Sequence, residues 1–555
     1  MREVTFEELL ERKNNYEGIS AENQQRIKAT YDNIMDVSNS LADNVVLLSD
    51  FDADGICSAL IMKKIFPEAQ VIIGDRFTNG YGVPDVKLNY RDMVICTDIG
   101  SSDVMKLAEI ATQTSILPYV VDHHEKDKYM IKYEESSPTK VLNFTGEKNA
   151  PDYCGTGLAL KLYECDYYRK ISEGYDKIAL DKELNTVKVI GMIGTIADMV
   201  KVNNPYDENR EIIMDGFKTL KDVFKGKAEM DETLRAFLEV CGVDENTEHL
   251  TTKKIGFDVA PCINALGRLK PNGGQKCFDI LSSPLMIDEN TIDEKVFEGI
   301  LQIRDVNKER KQIVEDIMLK ENIKKAIENG INDNILIIVD RDIPQGVTGL
   351  VANKIKEMSD KPCIVLTEGL DGNLVGSGRN MEGYPSLYEY TKSDKCIKQG
   401  GHKDAIGLSI KVSDFDDYKE EIIEKYKMAD IIEPEKEYLK DAKDFTVDKY
   451  LQLEPFGTDF KVPMVKFENV KVSTKYNLPK ANPKPEWAIT QIDGLKIKDF
   501  AKGNVWNIGD KVTFEAEVDF SDYQGEHIEF LVKSVENDSV RELSMDKPKQ
   551  AGLNR

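Results

Sequence analysis

The chain reads as an α/β protein in which a parallel-sheet domain is joined by a long helix to a smaller α/β domain, followed by a C-terminal β-barrel. Three observations predict this. Strand-length apolar runs alternate with helix-length segments from residue 44 to residue 200. The same alternation returns from 334 to 412, and from 445 only short strands separated by turns remain. At 555 residues the chain has room for three to four domains.

Residues 1–40 carry Leu9, Leu10, Ile27, Tyr31, Ile34 and Met35 among many charges at loosely helical spacing and form a helical lead-in. Domain one, 41–290, begins with strands over 44–48, 70–74, 92–96 and 116–121, with helices over 56–65 and 103–112 between them. Buried helices follow over 155–169 and 187–200; Asp198 stands alone near the end of the second. Residues 291–330 hold Ile300, Ile303, Ile313, Ile317, Ile323 and Ile327 on a charged background without Pro or Gly from 300 to 328, which predicts one long connecting helix. The smaller domain, 331–432, has strands over 334–340, 363–367, 374–378 and 408–412, a helix over 349–358, and glycine-rich turns at 376–378 and 400–401. In 433–540, strands over 465–472, 487–492, 511–518 and 528–535 predict an OB-type barrel, and 541–555 form a polar tail.

Three strand-like runs end in acids or imidazoles: Ser-Asp-Phe-Asp-Ala-Asp-Gly at 49–55, Val-Ile-Cys-Thr-Asp-Ile-Gly at 94–100, and Val-Val-Asp-His-His at 120–124. In an open parallel sheet the ligand crevice lies beyond the carboxyl ends of the strands, so all three motifs reach one edge. In an extended segment Asp50, Asp52 and Asp54 share a side, and Gly55 turns the backbone into the next helix. Asp and His gathered there call for a bound cation. Any one motif alone reads equally as a solvated acidic turn; three in succession do not.

Composition sets the setting. No run of about 18 apolar residues exists, and Met1-Arg2-Glu3-Val4 lacks the features of a signal peptide, so a cytoplasmic protein without a membrane partner is expected. Nine cysteines (57, 96, 154, 165, 241, 262, 277, 363 and 396) are scattered without a Cys-x-x-Cys pair and read as reduced thiols. A net charge of −25 excludes a protein that coats nucleic acid over its whole surface. Residues 461–511, with ten Lys against five Asp or Glu, offer a local basic patch, and Tyr476, Trp487 and Trp506 interleave with it.

Together the motifs resemble the DHH phosphoesterase superfamily, and over residues 40–535 the chain resembles its RecJ-like branch of single-strand-specific exonucleases. The family motifs Asp-x-Asp-Ala-Asp-Gly, Asp-x-Gly, Asp-His-His and the Asp after a buried helix fall at 50–55, 98–100, 122–124 and 198, with an Asn-Arg pair at 209–210. The resemblance implies that Asp52, Asp54, Asp98, His123 and Asp198 hold two divalent ions, with Asp98 as the bridge and Asp50 as a further participant. Oxygen and imidazole donors without thiolate suit Mn²⁺ or Mg²⁺. Two ions about 4 Å apart activate water and neutralise the leaving oxygen; His124 is left to meet the phosphate or assist proton transfer.

The smaller domain resembles DHHA1 through Gly346-Val347-Thr348-Gly349, Gly376-Ser377-Gly378-Arg379 and Gly400-Gly401-His402. These assign Ser377, Arg379, Gly400, Gly401 and His402 to substrate binding, with Arg379 as a phosphate grip. Further matches add Arg76 and Arg268 as phosphate contacts, Tyr81 as a base-stacker and Arg310 on the connecting helix; Cys262 stands where the family has Arg. Leu453-Glu454-Pro455-Phe456-Gly457 resembles the entry to the RecJ OB domain. The implied activity is 5′-to-3′ hydrolysis of single-stranded DNA to 5′-mononucleotides by a monomer, in repair, recombination or replication, with a single-strand-binding protein or a helicase as possible partner. Two alternatives stand beside it: a nano-RNase or cyclic-dinucleotide phosphodiesterase with the same metal chemistry, and an inactive replication scaffold.

Overall fold

The computed structural model describes residues 2–536 apart from 79, 81, 289, 331, 433, 441, 478–486, 493, 501–507, 510 and 523–524. They form two compact units. One comprises Asn15–Glu433 with Pro455–Phe460; the other gathers the residues up to Asn14, Pro434–Glu454 and the described residues from Lys461 onward.

The first unit is built on β1 (Asn44–Ser49), β2 (Gln70–Ile73), β3 (Asp92–Thr97), β4 (Tyr119–Val121) and β5 (Val141–Leu142), in the order β2-β1-β3-β4-β5. Every pairing is parallel. The strands are continuous Val, Ile and Leu runs because helices cover both faces. On one face Val46, Leu48, Val94, Cys96 and Val120 pack with Leu107 and Ile110 of the helix Val104–Thr114 and with Met130. The other face carries α1 (Ala53–Ile65) and α2 (Gly155–Ser172), and α3 (Lys177–Ala197) packs against both of these helices; all three bury long segments.

Register positions the site. Ser49 pairs with Thr97, Thr97 with Val121, and Val121 with Leu142. The strands therefore end level, and the next residues, Asp50, Asp98, Asp122 and Asn143, stand in one row along the carboxyl edge.

The predicted single connecting helix is two: α4 (Glu294–Leu319) and α5 (Glu321–Asn329). Lys320 leaves the helical region at φ −62°, ψ 134°. The bend seats Ile317 and Ile323 in one core with Leu336 and Val351, and brings Lys320 Nζ to 3.1 Å from the buried Asp340 carboxylate. Nothing local in the sequence marks this break; the tertiary core imposes it.

In the smaller domain, β6 (Leu336–Val339), β7 (Cys363–Glu368), β8 (Leu374–Arg379), β9 (Cys396–Gly401) and β10 (Ala405–Ile410) are ordered β9-β10-β8-β7-β6. Only β6 and β7 are parallel; the rest pair antiparallel. The helix Thr348–Ser359 covers one face and the helix Phe415–Lys427 the other. The glycine-rich segments predicted as turns at 376–378 and 400–401 lie inside β8 and β9. A Cβ on Gly376 would stand 2.0 Å from the Val365 carbonyl oxygen, so close strand approach, not turning, requires glycine there.

The second unit contains an eight-stranded sheet in the order Arg2–Val4, Glu437–Leu439, Met464–Lys471, Lys511–Ser521, His527–Glu536, Leu495–Phe500, Trp487–Ile492 and Thr474–Asn477. Leu495–Phe500 runs parallel to His527–Glu536. The N-terminal segment, expected to be wholly helical, opens with the strand Arg2–Val4 because its backbone extends the edge at Glu437–Leu439. Helices follow at Phe6–Lys13 and Ala21–Ser40. Among the described residues no helix is long and apolar enough to cross a membrane.

Candidate metal centre

The acids of the first motif do not form the extended row expected for them. Helix α1 starts three residues earlier than its apolar pattern indicates, and Asp52 is its N-cap: the Asp52 carboxylate accepts from the amides of Asp54 and Gly55 at 3.0 and 3.1 Å. Asp54 thus lies in the first turn, and its carboxylate crosses to the start of α2. It accepts from the Gly155 and Thr156 amides, both at 2.8 Å. Two helix N-termini therefore supply positive potential to this corner. Gly155 makes the approach possible, since a Cβ there would meet the Asp98 Cβ at 2.6 Å.

Asp98 follows β3 with a left-handed φ of 60°. Its Oδ1 faces His123 Nε2 at 3.1 Å yet is buried without a hydrogen bond of acceptable geometry. His123 Nε2 also lies 3.7 Å from Asp54 Oδ2, and its Nδ1 lies 3.7 Å from Asp198 Oδ2 at the C-cap of α3. Asp50, Asp52 and Asp98 present ligand atoms within 4.8 Å of one another, and so do Asp54, His123 and Asp198. Asp50, Asp52, Asp54, Asp98, His123 and Asp198 are thus brought together.

This concentration of acid is costly without a cation. Burial, then the neighbouring carboxylates Asp54, Asp52 and Asp50, push Asp98 well above the ordinary carboxylate range. Burial and Asp52 push Asp50 up to about 8. Asp198 is pushed up to about 7 by burial, with His123 acting in the opposite direction. Hard oxygen donors, one imidazole, no thiolate and an orphaned buried carboxylate oxygen fit a divalent ion such as Mn²⁺ or Mg²⁺.

The two histidines diverge. His124 Nδ1 bonds Asp122 Oδ1 at 2.7 Å, and its side chain is 55% exposed against 22% for His123. Desolvation works against the imidazolium, but the Asp122 charge and hydrogen bond prevail and hold His124 up to about 10. Asp122 itself accepts the Ser101, His123 and His124 amides. Its oxygens are committed to the loop, so it is an anchor within the cluster.

The other substrate residues expected from the sequence lie on several separate elements. Arg76 lies 4.5 Å over the Phe51 ring and contributes to the field at Asp50. Tyr81 falls outside the described residues. Arg268 reaches the Gly346 carbonyl at 3.3 Å, where the first helices meet the smaller domain. Arg310 donates to Asn307 Oδ1 at 3.0 Å, and Asn307 donates to Cys262 Sγ at 3.1 Å, so Cys262 serves as a hydrogen-bond acceptor.

In the smaller domain Ser377 and Arg379 share one face of β8. The Ser377 hydroxyl lies 3.2 Å from that of Thr348, and an Arg379 Nη would stand 2.6 Å from a Cβ on Gly349. Register places Gly400 beside Gly407 and Gly407 beside Ser377. His402 follows Gly401, whose φ is 120°. Burial lowers the His402 pKa, and the charges of Asp404, Arg379, Glu125 and His124 all act on it. Asn209, read in the sequence as part of a functional pair, is a buried brace donating to the Asp152 and Lys201 carbonyls. Of the basic patch, Lys466 is paired with Glu468, and Lys496 and Lys498 with buried Glu529. The side chains of Tyr476, Trp487 and Trp506 lie outside the described residues.

Sequence reasoning missed the amides of Gly155 and Thr156, the brace Asn143, and Asn264, whose Oδ1 accepts the Ala53 amide at 3.0 Å. None belongs to a charged motif. The signal that could have located Gly155 is its place as the first residue of a buried helix.

The profile described as DHH family, N-terminal domain, matches residues 44–192. The single-stranded-DNA-specific exonuclease RecJ of Bacillus subtilis (strain 168) is 26% identical over 455 residues, covering 78% of this chain and 52% of its own length. That of Dickeya dadantii (strain 3937) is 27% identical over 415 residues, covering 69% and 66%. The chain thus spans between half and two thirds of the length of these relatives. Among solved structures, RecJ from Thermus thermophilus in complex with Mn²⁺ superposes with a TM-score of 0.69 at 17% identity, covering 92% of this chain and 72% of the other. At that identity the likeness speaks for the fold.

Proposed function

For a chain whose residues 44–192 match the DHH family, N-terminal domain, we propose a metal-dependent exonuclease that releases nucleoside 5′-monophosphates from the 5′ end of single-stranded DNA. The observation that carries this reading is the gathering of Asp50, Asp52 and Asp98 in one cluster and of Asp54, His123 and Asp198 in another, with His123 Nε2 against a buried Asp98 oxygen that has no hydrogen bond. These residues would hold two Mn²⁺ or Mg²⁺ ions, and Asp98 would serve both: it groups with Asp50 and Asp52 on one side and with His123 on the other. Bound there, the ions would lower the pKa of a water and stabilise charge on the phosphoryl oxygens.

The chain's own residues supply the rest. Asp122 holds the His124 imidazolium through Nδ1, which leaves Nε2 of this exposed ring to donate to a phosphate oxygen. Arg76 adds positive charge beside Asp50. Ser377, Arg379 and His402 of the smaller domain are assigned to the strand's phosphates, as are Arg268 and Arg310. Setting aside the added strands Arg2–Val4 and Glu437–Leu439, and counting Met464–Lys471 and Thr474–Asn477 as halves of one bent strand, leaves five strands around a closed path with the third parallel to the fifth. That order supports an OB-type barrel and hence a substrate longer than a dinucleotide. The metal ligands are complete, which disfavours an inactive scaffold. Nine free cysteines fit a reducing cytoplasm.

The test is digestion of 5′- and 3′-labelled single strands of DNA and RNA with Mn²⁺, Mg²⁺ or chelator, beside Asp98→Ala and His123→Ala. The expected result is metal-dependent release of 5′-mononucleotides from the 5′ end of DNA, lost by at least a factor of about 10³ in both variants. No release by the wild type, or equal activity in the variants, overturns the proposal. Cleavage confined to two- to four-nucleotide oligomers would favour the nano-RNase reading.

A further inference from the structure

His123 and His124 lie just beyond β4, and neither contributes a backbone group to the sheet ladder. Their four backbone polar groups are nevertheless all satisfied, each by a side chain. The two amides donate to Asp122 Oδ1 at 2.8 and 3.3 Å. The His123 carbonyl accepts from the Thr145 hydroxyl, and the His124 carbonyl accepts from Asn143 Nδ2 at 2.9 Å. Asn143 is fully buried; its Nδ2 also donates to Ser101 Oγ at 2.8 Å, and its Oδ1 accepts the Thr145 amide at 2.8 Å. Ser101 closes the ring by donating its amide to Asp122 Oδ2 at 2.9 Å. The Asn143 carbonyl accepts from Arg26 at 2.9 Å and Lys126 at 3.0 Å, and both cations pair with Glu134 and Glu147.

We infer that Asn143 and Thr145 are positioning residues of the metal centre: a clamp from the end of β5 that holds the His123-His124 backbone, so that one ring faces Asp98 and the other faces outward. The inference rests on the metal-centre reading above and deepens it. On the backbone Asp122 holds only the two amides; its further bond, to His124 Nδ1, fixes a ring and leaves both carbonyls and the His123 side chain unheld. The two carbonyl contacts remove that freedom, and they come from the strand next in the row. A histidine held this way enters the ligand set without further ordering, so loosening it should weaken metal binding by about tenfold to a hundredfold.

Three variants test this. Thr145→Val keeps the side-chain shape but leaves the His123 carbonyl without its donor; Thr145→Ser restores the donor; Asn143→Ala removes the second contact. In metal-free protein, hydrogen exchange in a peptide spanning 120–126 should rise in Thr145→Val and Asn143→Ala and return to wild-type protection in Thr145→Ser. Calorimetric titration with Mn²⁺ should show affinity reduced about tenfold to a hundredfold in the first two and restored in the third. Thermal unfolding identifies a variant that has failed to fold, in which case Thr145→Val against Thr145→Ser decides. Unchanged exchange over 120–126 together with unchanged Mn²⁺ affinity in Thr145→Val overturns the inference. Exchange needs neither metal nor substrate, so a wild type that binds no Mn²⁺ or cuts no DNA defeats the proposed function while this readout still judges the clamp.

Discussion

The protonation of single carboxyls ties the metal centre to stability. Asp50 and Asp198 shift from 3.8 to about 8 and about 7 in the folded chain, and Asp98 shifts in the same direction. The fold therefore binds protons more tightly than the unfolded chain does. Its contribution from these groups is fully present below about pH 4 and is lost as pH rises through the folded values. A divalent ion replaces those protons, so it should help most where they have left. The melting temperature gained on adding Mn²⁺ is expected to be larger at pH 8 than at pH 6, and His123→Ala should reduce the gain at both. Scanning calorimetry with and without Mn²⁺ checks this; an equal gain at the two pH values would contradict it. The gathering of these acids and imidazoles at one edge was legible in the sequence because Asp and His at strand ends have few structural uses. What was not legible is how each acid is aimed. Asp52 and Asp54 look alike on paper, but one caps its own helix and the other caps the start of a helix a hundred residues away.

At the scale of elements, the site is a meeting of level strand ends with two helix N-termini, and one of its close contacts is at the start of α2. Gly155 donates its amide to Asp54 at 2.8 Å while its Cα hydrogens face Asp98. Gly155→Ala would push a methyl group to 2.6 Å from the Asp98 Cβ. Either Asp98 moves out of the ligand set or α2 retreats and Asp54 loses its amides. Expected outcomes are destabilisation of about 1 to 3 kcal/mol, as for other overpacked cores, and a loss of Mn²⁺ affinity larger than that stability change explains. Denaturant unfolding and calorimetric titration measure the two; a variant with wild-type affinity would show that the contact is dispensable. The parallel sheet could be read from periodicity because its strands are buried on both faces and nearly all apolar. The break at Lys320 and the strands β5 and β9 could not. Val141–Leu142 is too short to show a period. Cys396–Gly401 is an edge strand whose residues are mostly exposed, so no apolar alternation reveals it.

At the scale of the whole molecule, both chain ends build the second unit, an arrangement a linear division of the sequence into domains does not anticipate. Arg2–Val4 adds a parallel strand beside Glu437–Leu439, with Arg2 and Lys440 amides donating across the join at 3.1 and 2.9 Å. Arg12 grips Glu437 through two bonds of 2.7 and 3.0 Å, and Phe6 meets Phe445 edge-on at 6.3 Å between ring centroids. Val4 and Leu9 are buried. Burial of two such aliphatic side chains is worth on the order of 3 kcal/mol, and the bidentate arginine adds to it. Removing the first 14 residues would expose the edge at Glu437–Leu439 as a row of unpaired amides and carbonyls. The metal ligands belong to the other unit and make no use of this segment. Deletion of residues 1–14 is therefore expected to accelerate hydrogen exchange across 434–454 and 464–471 and to lower the melting temperature of that unit, with Mn²⁺ affinity unchanged. Exchange measured by mass spectrometry, beside a metal titration of the same truncated chain, separates the two effects. Unaltered exchange at 437–439 would mean that the N-terminal strand adds nothing to the sheet. A fall in Mn²⁺ affinity would mean that the metal centre depends on the second unit after all.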